Sequence, residues 1–154
     1  MTAPQADHPI VVGIGPVSAD EVVRVARGDV AVTIDADALA AIAASRKRIE
    51  VLAHDPVPAY GISTGFGALA TRHIPPQLRT KLQRSLIRSH AAGSGPAVER
   101  EVVRAMMLLR LSTLTTGHTG VRPEVASAYA ALLSAGLTPV VHQYGSLGCS
   151  GDLA

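Results

Sequence analysis

The sequence predicts a mainly α-helical protein, with a small N-terminal α/β portion followed by long helices. Its apolar residues are mostly Ala, Val and Leu, whereas aromatic residues make up only 3% and Trp is absent. Small aliphatic side chains of this kind favour closely packed helices over a sheet sandwich. With 47% hydrophobic residues, a chain of 154 residues is long enough to build a core. We therefore expect residues 1–154 to belong to a single domain.

The charge pattern argues against several classes of partner. The 14 Lys and Arg residues outnumber the 12 Asp and Glu residues by little, and they are scattered rather than clustered as in nucleic-acid-binding proteins. Arg104 and Arg110 interrupt the most hydrophobic segment, which is too short to cross a membrane. Residues 1–9 lack the features of a signal peptide, and Cys149 has no cysteine to pair with. We expect a cytoplasmic protein without nucleic-acid, membrane or metal binding.

The first part of the chain shows alternating strand and helix signals. Residues 10–12 (IVV) are typical of a short strand. Ser18 and Glu21 then have the spacing of a capping box, which predicts a short helix that ends at Gly28. Residues 30–34 predict a second strand. This order of strand, helix and strand accounts for the predicted α/β portion.

A longer helix is predicted next, followed by a loop. Asp35 can cap a helix that runs through about Ala53, and four of its apolar residues share one face. Pro56 ends the regular structure, and residues 60–67 (YGISTGFG) predict a loop because they contain three glycines. The four residues of the shared face are Leu39, Ile42, Ile49 and Leu52.

Three further helices are predicted in the second half of the chain. One begins after the prolines at 75–76 and ends before residues 93–95 (GSG). Pro96 is expected to open a long helix to Gly117, and residues 122–136 a shorter one. The first of the three carries an inward stripe at strict i, i+4 spacing, formed by Leu78, Leu82, Leu86 and His90.

The final residues indicate that the chain is the amino-terminal part of a larger protein. Leu153 and Ala154 end the sequence where a helix would be starting. The apolar helices also leave more hydrophobic surface than this chain can bury. We expect further sequence or another subunit to cover that surface.

Residues 145–153 (GSLGCSGDL) permit an unusual backbone reaction. If the nitrogen of Gly151 attacks the carbonyl carbon of Cys149 and the carbonyl oxygen leaves as water, a five-membered imidazolone ring forms, and loss of a second water from Ser150 leaves an exocyclic methylidene. Gly151 lacks a Cβ and so permits the close approach, while Asp152 is placed to help move protons. The product is an electrophile. Taken alone, these residues are more typical of a Gly-rich turn that caps a helix, because small-Ser-Gly tripeptides are common.

The same segment resembles the signature of the histidine and aromatic amino acid ammonia-lyases. In that family an Ala-Ser-Gly tripeptide cyclises to 4-methylidene-imidazol-5-one (MIO). Cys149 stands here in place of the commoner alanine. Because the side chain at that position is not consumed by cyclisation, a thiol is compatible with the chemistry.

Two other segments extend the resemblance in the expected order. Residues 60–67 resemble the catalytic-tyrosine loop of the family, with Ser63 where Asn is also common. Residues 110–114 and 117–122 resemble the helix and turn that precede the MIO segment. The likeness covers essentially the whole chain, from about residue 10 to residue 154.

The resemblance implies a helical-bundle lyase and assigns roles to particular residues. Tyr60 is the expected catalytic tyrosine, carried on a mobile glycine-rich lid that excludes water. MIO is expected to form autocatalytically from its tripeptide without an external cofactor. The expected catalytic positions are Tyr60, Cys149, Ser150, Gly151 and Asp152, and the expected substrate-binding positions are Ser89, His90, Gly67 and Leu147.

The implied reaction is elimination of ammonia from L-histidine to give trans-urocanate. Ser89 and His90 fall at a pair of positions that correlates with substrate choice in the family. The pair resembles that of histidine lyases, whereas tyrosine and phenylalanine lyases usually carry His-Leu or Phe-Leu there. An imidazole side chain also suits an imidazole substrate better than an apolar pocket does. MIO activates the leaving group, and a tyrosine base removes the β-proton. Whether the substrate amine or its ring attacks MIO stays open.

The family assembles its sites from several subunits of a homotetramer. The residues that bind the substrate carboxylate, a second catalytic tyrosine and an MIO-supporting asparagine would lie beyond Ala154. Residues 1–154 alone are therefore expected to be inactive.

Other interpretations stay open. The nearest is a phenylalanine or tyrosine ammonia-lyase or an aminomutase, and the second is a non-catalytic helical interaction module. A nucleotide-binding module is more distant, because the glycines of residues 60–67 do not have G-x-G-x-x-G or Walker A spacing. Without the resemblance, His90 is interpreted as a hydrogen-bonded core histidine, which is the commoner role of such a residue, and His118 and His142 are interpreted as structural.

Overall fold

The computed structural model describes residues 8–146, in which helices dominate and the strands are short. The predicted fold class is therefore confirmed. In chain order the elements are β1 (Ile10–Val12), α1 (Ala19–Gly28), β2 (Val32–Ile34), α2 (Ala36–Leu52), α3 (Pro76–His90), β3 (Ser94–Ala97), α4 (Arg100–Thr115), α5 (Pro123–Ser134) and β4 (His142–Tyr144).

The described residues form two compact units. Unit 1 comprises residues 8–46 and 99–139, and unit 2 comprises residues 47–98 and 140–146. Helix α2 begins in unit 1 and ends in unit 2. Within the described part of the chain, no helix has the length and apolar character needed to cross a membrane.

Local hydrogen bonds set both ends of α1. The N–H of Glu21 donates to Ser18 Oγ (3.3 Å), and the N–H of Ser18 donates to the Glu21 carboxylate (2.7 Å), which confirms the capping box. The Ser18 N–H also holds the pKa of Glu21 below its ordinary value. At the other end Asp29 adopts a left-handed backbone (φ 53°), and its N–H donates to Arg24 O. The helix therefore ends at Gly28, as predicted.

Strands β1 and β2 pair in parallel around α1, with Ile10 opposite Val32. The second strand was predicted from Val30, but it begins two residues later because the N–H of Val30 donates to Arg24 O in the turn after α1. The outer edge of β2 is capped by a side chain from the end of α5. Ser134 Oγ accepts from the N–H of Val32 (2.9 Å) and lies 3.0 Å from its carbonyl oxygen, to which it donates.

The apolar core lies in unit 1, where α4 packs against both α1 and α5. Among residues 8–146, every buried apolar side chain belongs to this unit. These residues are Ile10, Val12, Val25, Ala26, Val30, Val32, Ala38, Ile42, Val103, Met107, Leu108, Leu111, Leu114, Ala126, Ala130 and Leu133. The opposite face of α4 leaves apolar side chains exposed, as expected from the sequence, notably Val102, Met106 and Leu109.

A buried guanidinium joins three elements of this core. Arg104 is fully buried, and it donates from Nε to Val25 O (3.0 Å) and from Nη1 to Leu133 O (3.2 Å). Both carbonyls lie in the last turn of a helix, where they have no partner within the helix. Asp29 balances the charge, with 3.0 Å between its Oδ1 and Arg104 Nε, and also binds Arg100 through two hydrogen bonds (2.8 and 3.2 Å). We refer to Asp29, Arg100 and Arg104 as the guanidinium cluster.

The predicted bounds of α2 and α5 are confirmed. Asp35 Oδ2 accepts from the N–H of Asp37 (3.0 Å) at the start of α2, and α5 begins at Pro123 and is followed by Gly136 with φ 70°. The predicted apolar face of α2 is covered unevenly. Ile42 is buried, Leu39 and Ile49 are half-buried, and Leu52 is 39% exposed.

Helix α3 forms where predicted, and its apolar stripe lies on the more covered side of the helix, but it is buried only in part. Leu78 is 48% exposed, and Leu82, Leu86 and His90 are only half-buried. The physical reason is that α3 lies in unit 2, whose described residues contain no buried apolar side chain against which the stripe could pack.

The helix predicted to open at Pro96 begins later, at Arg100. Residues 94–97 instead form β3, which pairs antiparallel with β4, a strand that was not predicted. Gly95 has φ 81°, a value outside the helical region. Proline occurs both in the first turn of helices and in edge strands, because neither place needs its missing N–H. The proline alone could not distinguish the two.

The guanidinium cluster should make the stability of unit 1 fall at acid pH. Hydrogen bonding to Arg100 lowers the pKa of Asp29 in the folded state, so its stabilising contribution is present above the unfolded pKa of about 4 and is lost as pH falls through the folded pKa. Asp29→Asn keeps a residue that tolerates the left-handed backbone but removes the charge. We expect the variant to have a lower urea midpoint near pH 7, with the difference from the wild type shrinking toward about pH 3.

The matched control is Asp20→Asn, the same change in the exposed first turn of α1. The difference in urea midpoint between this variant and the wild type should change less with pH than it does for Asp29→Asn. A constant difference between wild type and Asp29→Asn across the acid range would contradict this account of the cluster.

Candidate functional site

The predicted catalytic loop lies in unit 2, between α2 and α3. Residues 60–67 form consecutive turns that lead into a short 3-10 helix. Thr64 pairs with His73 in an isolated antiparallel bridge, and the N–H of Ile74 donates to Ser63 O (2.9 Å). The two limbs of the loop are therefore hydrogen-bonded to each other.

Two buried hydroxyl groups hold the backbone on either side of Tyr60. Ser63, Thr64 and Gly65 are the buried residues of this loop, and the first two carry hydroxyl groups. Ser63 Oγ accepts from the N–H of Ala59 (2.9 Å), and Thr64 Oγ1 accepts from the N–H of Gly61 (3.2 Å). The carbonyl of Ala59 also accepts from the N–H groups of Ser63 (3.0 Å) and Thr64 (3.3 Å). The peptide groups that flank Tyr60 are thereby fixed by hydrogen bonds.

The side chain of Tyr60 is 63% exposed and packs edge-on against Phe66. The ring centroids are 5.7 Å apart, with an interplanar angle of 85°, which is a favourable aromatic geometry. Gly61 permits this contact because it has φ 69°, and a Cβ there would lie 2.9 Å from Phe66 Cε1. The phenol of Tyr60 is therefore presented to solvent on a defined backbone. The mobile lid expected from the glycines stays a prediction.

Arg79 of α3 joins the two ends of the segment that carries this loop. Its Nη2 donates to Ala53 O (2.7 Å), just after α2, and its Nε donates to Ile74 O (3.2 Å). The guanidinium also lines an open cavity of about 350 Å³ together with His54 and His73. This role of the half-buried Arg79 could not be predicted from the sequence, because nothing in the local pattern distinguishes it from the other arginines of the chain.

The Ser89-His90 pair lies at the end of α3, and the structure brings the two side chains together. Ser89 Oγ donates to Leu86 O (2.9 Å) and lies 2.9 Å from His90 Nδ1. His90 Nδ1 itself lies 2.9 Å from Leu86 O. Because a carbonyl oxygen only accepts, this bond requires the proton on Nδ1 and leaves Nε2 of the neutral ring as a hydrogen-bond acceptor.

The remaining predicted positions fall in different parts of the chain. Gly67 opens the short 3-10 helix after the catalytic loop, with φ 55°. The predicted positions Leu147, Cys149, Ser150, Gly151 and Asp152 lie outside the described residues. Strand β4, in unit 2, precedes them in the sequence.

The two histidines interpreted as structural make one long-range and one local hydrogen bond. His142 Nδ1 lies 2.8 Å from Gly95 O, and the backbone N–H of His118 donates to Thr116 Oγ1 (3.4 Å). Within residues 8–146, no three His, Cys, Asp or Glu side chains come together as metal ligands.

Sequence comparisons relate nearly the whole chain to one enzyme family. The profile of the family described as aromatic amino acid lyase matches residues 17–154. The chain is 61% identical to a histidine ammonia-lyase of Streptomyces avermitilis over 96% of its own length and 29% of that protein. It is 43% identical to a tyrosine 2,3-aminomutase of Myxococcus fulvus over 87% of its length and 26% of that protein. The chain thus spans less than a third of the length of these relatives.

Solved structures agree with the sequence comparisons. A tyrosine aminomutase from Streptomyces globisporus superposes with a TM-score of 0.84 and 35% identity, covering 92% of this chain and 27% of that one. A histidine ammonia-lyase from Trypanosoma cruzi superposes with a TM-score of 0.80 and 31% identity, over the same shares of the two chains. The fold is therefore shared by proteins named for different substrates.

The buried hydroxyl of Ser63 should determine how firmly the catalytic loop is held. Ser63→Ala leaves the N–H of Ala59 without its acceptor, at a cost of about 1–2 kcal/mol in local stability. We expect faster amide hydrogen exchange across residues 59–64, measured by mass spectrometry. Ser85→Ala, the same change on the exposed side of α3, should leave this exchange unaltered. Equal exchange in all three proteins would contradict the assigned role of Ser63.

Proposed function

Because the chain belongs to the aromatic amino acid lyase family, we propose that the whole protein containing it eliminates ammonia from L-histidine to give trans-urocanate. The observation that carries the proposal is the higher identity to Streptomyces histidine ammonia-lyases than to tyrosine-specific relatives. The resemblance of the Ser89-His90 pair to that of histidine lyases supports the same substrate.

The electrophile would come from the chain itself. Lyases of this family are generally MIO-dependent. The tripeptide fits the group chemically, because Cys149 contributes only its carbonyl, Ser150 has a β-hydroxyl to lose, and Gly151 offers a nitrogen without a Cβ beside it. The group supplies an electrophilic carbon that makes the substrate amine a better leaving group. Asp152, next in the chain, would assist proton movement during its formation.

Tyr60 would hold or remove the β-proton of the substrate. A general base must come within hydrogen-bonding distance of the proton that it removes, and its position must be defined. The flanking peptide groups of Tyr60 are tied to Ser63 and Thr64, and its ring rests on Phe66. Its exposed phenol is therefore positioned to act on a molecule that binds over the loop.

His90 would recognise the substrate ring. The bond from Nδ1 to Leu86 O leaves Nε2 free to accept a hydrogen bond from the imidazole N–H of histidine. A phenyl or phenol ring has no N–H to donate at that place. A site built around a hydrogen bond rejects an analogue that lacks the partner, because the buried acceptor is then unsatisfied. Gly67 and Leu147 would shape the approach to this site.

The proposal extends to the oligomeric state and the cellular location of the whole protein. We infer that residues 1–154 belong to a single lyase domain in a cytoplasmic homotetramer, and that on their own they do not convert histidine. Support comes from the exposed apolar side chains of α4, such as Met106 and Leu109, which a neighbouring chain or further sequence would cover.

The function and the role of Tyr60 can be tested together on the whole protein. The peptide that contains Ser150 should be lighter by two water molecules, and purified enzyme should produce urocanate from histidine. Tyr60→Phe should keep the lighter peptide but lower kcat by about 10²–10⁴-fold, the typical contribution of a general base. Mass spectrometry and the absorbance of urocanate provide the two measurements.

Tyr129→Phe is the matched control, because it removes a phenol hydroxyl from α5 in unit 1. It should leave kcat near that of the wild type. An intact, hydrated tripeptide in whole protein that turns over histidine would contradict the proposed chemistry.

A specific observation favours tyrosine or phenylalanine as the second candidate substrate. Proteins named tyrosine aminomutase are similar to this chain in both sequence and fold. His90→Phe distinguishes the two. If His90 accepts from the substrate imidazole, the variant should lose kcat/KM for histidine by about 10²-fold or more and gain activity toward phenylalanine. A substrate panel on both proteins measures the change, and Ser85→Ala serves as the control on the same helix. Unaltered selectivity would remove His90 from substrate recognition.

A further inference from the structure

Arg79, in the first turn of α3, contacts both ends of the segment that carries the predicted catalytic loop. A helical side chain leans toward the N-terminus of its helix, so the guanidinium reaches back to Ile74. The carbonyl oxygen of Ile74 accepts from Nε (3.2 Å), and that of Ala53, just after α2, accepts from Nη2 (2.7 Å). One side chain thus binds the residues on either side of residues 54–73.

The two hydrogen bonds come from one edge of the guanidinium. Nε and Nη2 lie in a rigid plane, so two carbonyl groups bound to them have a defined separation. Ala53 follows the last residue of α2, and no later turn of that helix offers an N–H to its carbonyl. Within the described part of unit 2 no apolar side chain is buried, so apolar packing does little to fix this separation. The paired donors of Arg79 therefore set the distance between the ends of the segment.

From Ile74 the contacts continue to the peptide group that precedes Tyr60. The N–H of Ile74 donates to Ser63 O (2.9 Å), so the peptide groups on both sides of Ile74 are bound. Ser63 Oγ in turn accepts from the N–H of Ala59 (2.9 Å). A displacement of Ile74 would therefore move Ser63 and change the backbone next to Tyr60.

We propose that Arg79 is a positioning residue for the reaction. By holding Ala53 and Ile74 at a defined separation, it sets the place at which Tyr60 is presented to the substrate. The inference rests on the proposed lyase function, in which Tyr60 holds or removes the β-proton. The role depends on the paired donors and not on the positive charge alone, because both acceptors are uncharged carbonyl groups.

The test uses variants of the whole protein with histidine as substrate. Arg79→Ala should lower kcat by about tenfold or more, since small misplacements of a catalytic group have large effects on rate. KM should change by less than about twofold, because the lost positioning acts on the transition state. Arg79→Lys keeps the charge without the rigid pair of donors, and its kcat should fall as well. Amide hydrogen exchange across residues 59–64 should be faster in both variants.

The cavity beside Arg79 allows a rescue experiment. It has a volume of about 350 Å³, is open to solvent, and is lined by Arg79 together with His54 and His73. Removal of the Arg79 side chain leaves room for a guanidinium ion to bind the same two carbonyl groups. Guanidinium chloride, added below the concentration that unfolds the protein, should return kcat of Arg79→Ala toward the wild-type value. Sodium chloride at the same concentration should not.

Arg84→Ala is the matched control, because it makes the same change at an exposed position of α3. Its kcat, its hydrogen exchange and its response to guanidinium should equal those of the wild type. An equal loss of kcat in Arg84→Ala would reduce the role of Arg79 to general stability of the helix. Where Arg79→Ala fails to fold, Arg79→Lys decides the question by kcat and hydrogen exchange.

The remaining outcomes separate the inference from the proposed function. Wild-type kcat in either Arg79 variant would refute the inference and leave the proposed function intact. A loss of kcat in Arg79→Ala that guanidinium does not reverse would overturn the assigned role of the two hydrogen bonds. A wild-type protein that forms no urocanate would refute the proposed function and the inference together.

Discussion

The buried guanidinium of Arg104 is the interaction on which the core of unit 1 depends. Removing such a charge from water is costly unless its donors find acceptors and its charge is balanced. Val25 and Leu133 supply carbonyl oxygens, and Asp29 supplies the charge. Because those carbonyls lie at the C-terminal ends of α1 and α5, one side chain of α4 binds the ends of both helices and holds the three together.

Unit 2 is organised by polar contacts instead. Its buried side chains in the described part of the chain are those of Ser63 and Thr64, and Arg79 holds the ends of the loop that they stabilise. Individual hydrogen bonds of this kind contribute only about 0.5–1.5 kcal/mol each. A loop held by a few such bonds opens locally at a lower free energy than an apolar core does. Regions that bind and release ligands commonly lie in the less stable parts of a protein.

The comparisons place proteins named for histidine and for tyrosine on the same fold. Fold therefore cannot account for the choice of substrate, which must be made by a few side chains within the site. The end of α3 is suited to such a choice. Leu86 and Ser89 hold the ring of His90, so that a single substitution there alters the hydrogen bonding offered to a ligand without altering the helix.

The candidate site was predicted from the sequence where short motifs carry the resemblance to the family. Residues 60–67 and the Ser89-His90 pair were singled out by that resemblance, and the structure shows how both are held. The roles of Ser63, Thr64 and Arg79 were missed. Their hydrogen bonds serve backbone groups whose positions follow only from the path of the loop.

The sequence by itself determined the features that depend on neighbouring residues. The capping box of Ser18 and Glu21 and the start of α5 at Pro123 involve contacts within a few residues, so their patterns were sufficient. The tertiary structure alone decided that Arg104 is buried and that the Pro96 segment is a strand. In both cases the deciding partners, such as Val25 for Arg104 and Tyr144 for Gly95, are distant in the sequence and come together only when the chain folds.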